Sequence, residues 1–195
     1  VQTITHFLKW SVGLASAQSS TTKEERDCLA RHASGKKVLV ELGVWHGVTT
    51  AQLRQAMAPE GVLYAVDPYF PGQLGFSVPR VIAHREVDRA AGGKVEWVRK
   101  TSTEAAHGFP SFEPRPIDFL FIDAGHKYDE VKADWDNWSG LIAAGGIVGL
   151  HDSRSSPKRN LDGVGSMIFT QEVVLQDSRF HCFDAVDSLT MLIRK

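Results

Sequence analysis

The run Val38-Leu-Val-Glu-Leu-Gly-Val-Trp-His-Gly-Val-Thr49 constrains this chain more than any other segment. An apolar strand signal carries the acidic residue Glu41 near its end. Gly43 and Gly47 follow in G-x-x-x-G spacing at the turn into a helix. A second apolar strand, Leu63-Tyr-Ala-Val, closes on Asp67. Open α/β sheets bind adenosine-containing ligands at this place, at the carboxyl edge where strand order reverses. The loop also selects among such ligands. A dinucleotide loop uses G-x-G-x-x-G so that its backbone can press against a pyrophosphate. Trp45 stands where the second glycine of that pattern would fall. Glu41 repels a phosphate and suits an amine. S-adenosylmethionine, with a ribose, an α-amino group, a sulfonium and no phosphate, fits these constraints.

Composition narrows the class. A chain of 195 residues with 43% hydrophobic and 23% charged residues has the material for one α/β domain with a substantial core. Net charge is −1 and the isoelectric point is near 6.8, so no electrostatic footprint for nucleic acid or membrane is expected. Two cysteines, Cys28 and Cys182, suit a reduced, cytoplasmic protein. Apolar runs are strand-sized, so no membrane span or signal peptide is expected. The chain opens at Val1 rather than methionine, which leaves room for residues upstream.

The expected fold is a Rossmann-like, doubly wound seven-stranded α/β sheet, mostly parallel, with an antiparallel strand in a C-terminal hairpin. Residues 1–35 read as N-terminal helices packed on the domain or on a second copy in a homodimer, with Ser19-Ser-Thr-Thr22 capping the helix from Lys23 to His32. Residues 36–195 read as the ligand-binding domain. Strands are expected at 38–42, 62–66, 95–98, 117–122 and 145–150, and helices near 48–57, 78–91, 102–107, 127–142 and 163–176. Phe180–Val186 and Ser188–Ile193, joined at Asp187, read as the hairpin. In the helix after the fourth strand, Tyr128, Val131, Trp135, Trp138 and Ile142 form one apolar stripe, and Lys132, Asp134, Asp136 and Asn137 face away.

The carboxyl ends of the strands carry a consistent polar set. Asp67 lies about twenty residues past the glycines, the usual distance for a carboxylate that accepts ribose hydroxyls. Ser102 and Thr103 follow the third strand, as a helix cap, as contacts to the adenine edge, or both. Asp123 ends the fourth strand in Ile122-Asp-Ala-Gly-His126, and His151-Asp152 ends the fifth after Gly145-Gly-Ile-Val-Gly-Leu.

These residues resemble known methyltransferases. Glu41 to Thr49 is similar to the first motif of catechol O-methyltransferase. Asp118 to Ser153 resembles the macrocin-type and cephalosporin-hydroxylase-like families, which carry I-D-[GA]-x-H-x-Y, a helix, and then a G-G-x-x-x-x-H-D strand. The resemblance spans residues 36–195 and implies a class I S-adenosylmethionine-dependent methyltransferase acting on a small-molecule hydroxyl. It implies that Glu41, Gly43, Val44, Trp45 and Gly47 line the methionine and ribose end, and that Thr49 sits near the methionine carboxylate. Asp67 and Pro68 would lie at the ribose, and Ser102 and Thr103 at adenine. Asp123 and Asp152 fall where those families place ligands of a divalent cation such as Mg²⁺. The amide or acid that follows the second ligand there is Ser153 here, which weakens the ligand set; the alternative is that Asp123 contacts the donor's amine and Asp152 orients a loop. His126 holds the position of the catalytic base, with His151 as its competitor; an imidazole takes a hydroxyl proton readily near neutral pH.

Two flanking loops are candidates for shaping the acceptor pocket: Pro68-Tyr-Phe-Pro-Gly-Gln-Leu-Gly-Phe76 as a lid, and Ser153–Asn160, with Arg154, Lys158 and Arg159, toward an anionic substrate. The amino-methyltransferase motif D-P-P-Y belongs after the fourth strand, where this chain has Ile122-Asp-Ala-Gly, so methylation of amines is disfavoured. A nicotinamide-dependent oxidoreductase and a catalytically silent S-adenosylmethionine-binding module are the rival readings. The first needs a glycine at Trp45.

Overall fold

A computed structural model describes residues 2–72 and 75–195 of the chain. Val1, and Gln73 and Leu74 of the expected lid, lie outside the described residues. Helices α1 (Gln2–Ser11) and α2 (Lys23–Ala33) precede an alternating series: β1 (Val38–Leu42), α3 (Val48–Ala56), β2 (Val62–Val66), α4 (Val78–Asp88), β3 (Lys94–Val98), α5 (Ser102–Phe112), β4 (Ile117–Ile122), α6 (Tyr128–Trp138), β5 (Ile142–Leu150) and α7 (Gly165–Glu172). The chain closes with β6 (Phe180–Val186) and β7 (Leu189–Arg194). The seven strands form one sheet in the order β3-β2-β1-β4-β5-β7-β6. β1 to β5 pair in parallel, and β7 runs antiparallel to both β5 and β6. Asp187 takes φ +48° at the hairpin turn, the left-handed conformation such a turn requires.

Alternating burial explains the double winding. On one face Val38, Val40 and Leu42 pack with Phe109, Val131, Trp135, Trp138 and Phe169 from α5, α6 and α7. On the other, Leu39, Leu63, Phe119 and Phe121 pack with Leu29 of α2 and Leu53 of α3. Each inner strand is buried on both sides, as a parallel sheet sandwiched by helices demands.

The departures from expectation have local causes. α5 runs five residues past 107, through Gly108 and Pro110, because Phe109 docks against Tyr64 and Trp138, with ring centroids 5.1 and 5.3 Å apart. Tertiary packing there overrides two helix breakers. α6 ends at Trp138 in a short 3₁₀ turn, so Ile142 belongs to β5 and pairs with Ile117, rather than completing the helical stripe. α7 is shorter than expected, starting after Gly163 at φ +81° and passing into a 3₁₀ turn at Val174–Gln176. Asp134 does not face solvent; it is buried against α5. No described helix is long and apolar enough to cross a membrane.

Candidate active site

The chain order of the strands reverses between β1 and β4, and the carboxyl ends of β1, β2 and β4 open there into a crevice. Its inner part, about 300 Å³, is lined by Glu41, Gly43, Thr49, Asp67, Asp123 and His126, among others. A wider part, about 610 Å³, continues past Pro68, Ser102, Thr103 and Asp134. The two share Gly43, Asp67 and Ala124.

Gly43 makes this opening possible. It adopts φ +86°, and a Cβ built on it would stand 2.3 Å from the Asp123 carbonyl oxygen. Only glycine permits β1 and β4 to approach so closely where their ends part. Gly47 caps α3 at φ +73° and would press a Cβ against Ala83 of α4. Between them Trp45 is held at φ +50°. Its indole stacks on His46, which in turn stacks on His6 of α1, with centroids 4.4 and 5.3 Å apart. Burial depresses the His46 pKa to about 4, so His46 is uncharged at neutral pH.

Asp67 clamps the loop. Its Oδ2 accepts from the backbone N–H groups of Val44 and Trp45, both at 3.1 Å, and its Oδ1 from that of Tyr69 at 2.8 Å. A carboxylate offers about four acceptor directions, so the backbone takes most of them. About one acceptor direction of the Asp67 carboxylate is left over.

Glu41 is 1% exposed and lies on the wall of the inner crevice. Its Oε2 has no hydrogen-bond partner among the described residues. Burial, then the charges of Asp123 and Asp67, push its carboxyl up to about 8, so at neutral pH it holds a proton. A buried polar atom without a partner is costly unless something satisfies it.

His151 does not fit a base. It is buried, with Nδ1 at 2.8 Å from Asp123 Oδ1 and Nε2 at 3.3 Å from Glu25 Oε2. Burial alone would strip its proton, but the hydrogen bonds to Asp123 and Glu25 outweigh it and hold its pKa near 10. An imidazolium that is charged at neutral pH, with both nitrogens engaged, has no free nitrogen to accept a proton. Glu25 completes that network. It closes the capping box of α2 with Thr22, and its Oε1 accepts from the backbone N–H and the hydroxyl of Ser188. His126, by contrast, is half exposed in the inner crevice, with Nδ1 3.4 Å from Asp152 Oδ2.

A divalent cation held by Asp123 and Asp152 does not fit these residues. Asp152 Oδ1 already meets the guanidinium of Arg159 at 2.6 Å and His151 Nδ1 at 3.5 Å. Asp123 carries His151 on one oxygen and the Ser20 hydroxyl on the other, at 2.9 Å. Side-chain cations thus occupy the ground where the metal would stand. Ser153 turns away into the hairpin, within hydrogen-bond distance of the Ser188 carbonyl and Thr190 Oγ1.

Three further features escape sequence reasoning. The segment after α1 forms part of the crevice wall through Gln18, Ser19 and Ser20, where the serines promised only a helix cap. The N-cap of α5 is Thr101, not Ser102 or Thr103. Ser102 Oγ instead donates to Asp134 and accepts from Trp138 Nε1 at 3.0 Å. Burial raises the Asp134 carboxyl to about 6 against that bond. In the expected anionic-substrate loop Lys158 pairs with Glu24 and Asp187 and Arg159 with Asp152, while Arg154 is exposed.

This strand order, with a glycine-gated acidic crevice at its switch point, defines the class I S-adenosylmethionine-dependent methyltransferase fold. Residues 40–153 match the family described as a methyltransferase domain, and the chain belongs to that family. Similar solved structures include the O-methyltransferase from Bacillus cereus in complex with SAH, 16% identical, with a TM-score of 0.64 over all of this chain and 91% of that one. The O-methyltransferase TomG from Streptomyces achromogenes, in complex with SAM, is 15% identical, with a TM-score of 0.67 over all of this chain and 90% of that one. The N-methyltransferase NodS from Bradyrhizobium japonicum is 14% identical, with a TM-score of 0.60 over 88% of this chain and 95% of that one. These likenesses establish the fold. A curated relative, the uncharacterized protein y4gI of Sinorhizobium fredii, is 31% identical over 130 residues; the match covers 63% of this chain and 14% of that protein's length.

Proposed function

We propose that this chain transfers a methyl group from S-adenosylmethionine to the hydroxyl of a small molecule, without a divalent cation. The observation that carries the reading is Glu41, a buried carboxyl with an unpartnered oxygen on the crevice wall, where the α-amino group of the donor would satisfy it. When bound, S-adenosylmethionine supplies an electrophilic methyl group. Glu41 and Asp123 hold the amino group, Asp67 takes a ribose hydroxyl, and Ser102, Thr103 and Asp134 line the adenine end. Orientation of two reactants in one cleft is the main source of acceleration in such a transfer. His126 would accept the acceptor's proton at Nε2 while Nδ1 faces Asp152, so the proton ends on the imidazole as the O–C bond forms and the donor's S–C bond breaks, with S-adenosylhomocysteine as the leaving group. His151 and Arg159 balance the charge of Asp123 and Asp152 in place of a metal. Oxygen is favoured over nitrogen because Ile122-Asp-Ala-Gly replaces the amine-methylating signature after β4, and two of the similar structures are O-methyltransferases by name.

The test is release of S-adenosylhomocysteine with a panel of catechols, sugar diols and polyketide hydroxyls, with and without EDTA. Turnover is expected with at least one acceptor and is unchanged by the chelator. His126→Ala is expected to keep donor binding and lose about 10²-fold or more in rate. Loss of activity in EDTA with recovery in Mg²⁺ would refute the cation-free mechanism. Donor binding without release for any acceptor would leave a binding module.

A further inference from the structure

Away from the crevice, α2 and the edge strand β6 bring together three side chains that the methyl-transfer reading does not use. Cys28 and His32 lie one helical turn apart on α2, on the same face. Asp184 follows the register shift in β6 between Cys182 and Asp184. A bulge of this kind re-aims side chains at a sheet edge, and here Asp184 meets the helix. Its Oδ2 lies 2.8 Å from His32 Nε2 and 3.5 Å from Cys28 Sγ. One ligand atom from each residue falls within 4.8 Å of the others. Asp184 Oδ1 accepts from the Ala185 backbone N–H at 2.9 Å, which fixes the carboxylate plane. His32 is held edge-on by Phe183, with centroids 5.0 Å apart.

We propose that Cys28, His32 and Asp184 form a binding site for a zinc-type transition-metal ion, clipping α2 to the terminal hairpin. Thiolate, imidazole and carboxylate together are the donor set zinc takes. Tetrahedral zinc, with a bond of about 2.3 Å to sulfur and about 2.0 Å to oxygen, places those two atoms about 3.5 Å apart, which is the separation here. The imidazole must draw back by roughly half an ångström to reach a tetrahedral spacing. As a side chain with one edge toward solvent, His32 has room to do so. Arg31, which touches the same carboxylate oxygen at 3.3 Å, is 61% exposed and free to swing off.

Burial and then the Asp184 charge raise the Cys28 thiol to about 11, so the metal-free site is protonated. Binding expels that proton to solvent; thiolate and carboxylate then neutralise the dication, His32 contributes a neutral nitrogen, and the fourth position faces water. The clip has a structural consequence, because α2 also carries Glu25, which reaches the His151 network.

Cobalt(II) titration of the full chain tests the site, followed by competition with zinc. Wild type and Cys182→Ser are expected to show a thiolate-to-cobalt charge-transfer band saturating at one equivalent and displaced by zinc. Cys28→Ser should lack the band. Asp184→Asn, which keeps the thiol, should bind at least ten-fold more weakly. Circular dichroism reports whether each variant folds, and the Asp184→Asn titration stands if Cys28→Ser does not fold. Absence of the band in wild type, its survival in Cys28→Ser, or unchanged affinity in Asp184→Asn would overturn the assignment. None of these readouts depends on methyl transfer.

Discussion

At the scale of single residues, burial decides which charges are available. Glu41 and His151 are both enclosed, yet they move in opposite chemical directions. Glu41 has no cation beside it and keeps a proton up to about pH 8. His151 lies between two carboxylates and keeps its own to about pH 10. The donor's ammonium would reverse the first of these. Its arrival favours the Glu41 carboxylate, so binding at pH 7 releases a proton, and affinity is expected to rise from pH 6 to about 8. Calorimetry in two buffers of different ionisation enthalpy measures that release directly. Glu41→Gln should abolish it and weaken binding about 10- to 100-fold, the worth of a hydrogen bond to a charged group. Proton release that persists in Glu41→Gln would remove Glu41 from the amine site.

At the scale of elements, the loop between β1 and α3 is the least replaceable part of the molecule. Its two flanking glycines adopt left-handed φ, and Val44 and Trp45 are tied to Asp67. A methyl group at Gly43 cannot be accommodated by a side-chain shift, since the atom it meets is the backbone oxygen of Asp123. Gly43→Ala is therefore expected to cost about 1–3 kcal/mol in backbone strain and to close the crevice. Chemical denaturation and donor titration read these separately. A variant of normal stability and affinity would show that β1 and β4 part more easily than their geometry implies. The elements also show where sequence signals mislead. Gly108 and Pro110 promise an early end to α5, and the Phe109 contacts carry it through both.

For the molecule as a whole, the buried network gives stability a definite pH dependence. The folded chain holds the His151 proton more tightly than an unfolded imidazole, whose ordinary value is 6.5. That contribution is whole below pH 6.5 and is lost as pH climbs through about 10. Glu41, raised from 4.5 to about 8, acts with the same sign, because the folded chain retains a proton the unfolded chain has already released. Glu25, lowered to about 2, acts on the other flank and loses its contribution only in strong acid. The melting temperature of the ligand-free protein should therefore fall as pH is raised from 6.5 to 9.5. Glu41→Gln should lessen the slope below pH 8 and leave the portion above it unchanged, whereas His151→Phe should lessen the slope across the whole range and flatten it above pH 8, at a lower overall stability. Differential scanning fluorimetry across that range checks both; a flat wild-type profile would show that these groups do not titrate as their surroundings dictate.

The sheet was legible in the sequence because strand and helix periodicities are local, and the order of βα units leaves few topologies once crossovers are right-handed. Gly43, Asp67, Asp123 and the hairpin at Asp187 were readable for the same reason: each sits where a strand must end or turn. Ionisation and partnership were not readable, since they depend on groups far apart in the chain. Glu25 is 126 residues from His151, and Ser20 is 103 from Asp123. Only the folded chain decides that His151 is a buried cation, that Asp134 faces inward, and that Arg159 stands where a metal ligand set was expected. Pattern fixes which residues reach the sheet edge; the dielectric and the neighbours they meet there fix what each can do.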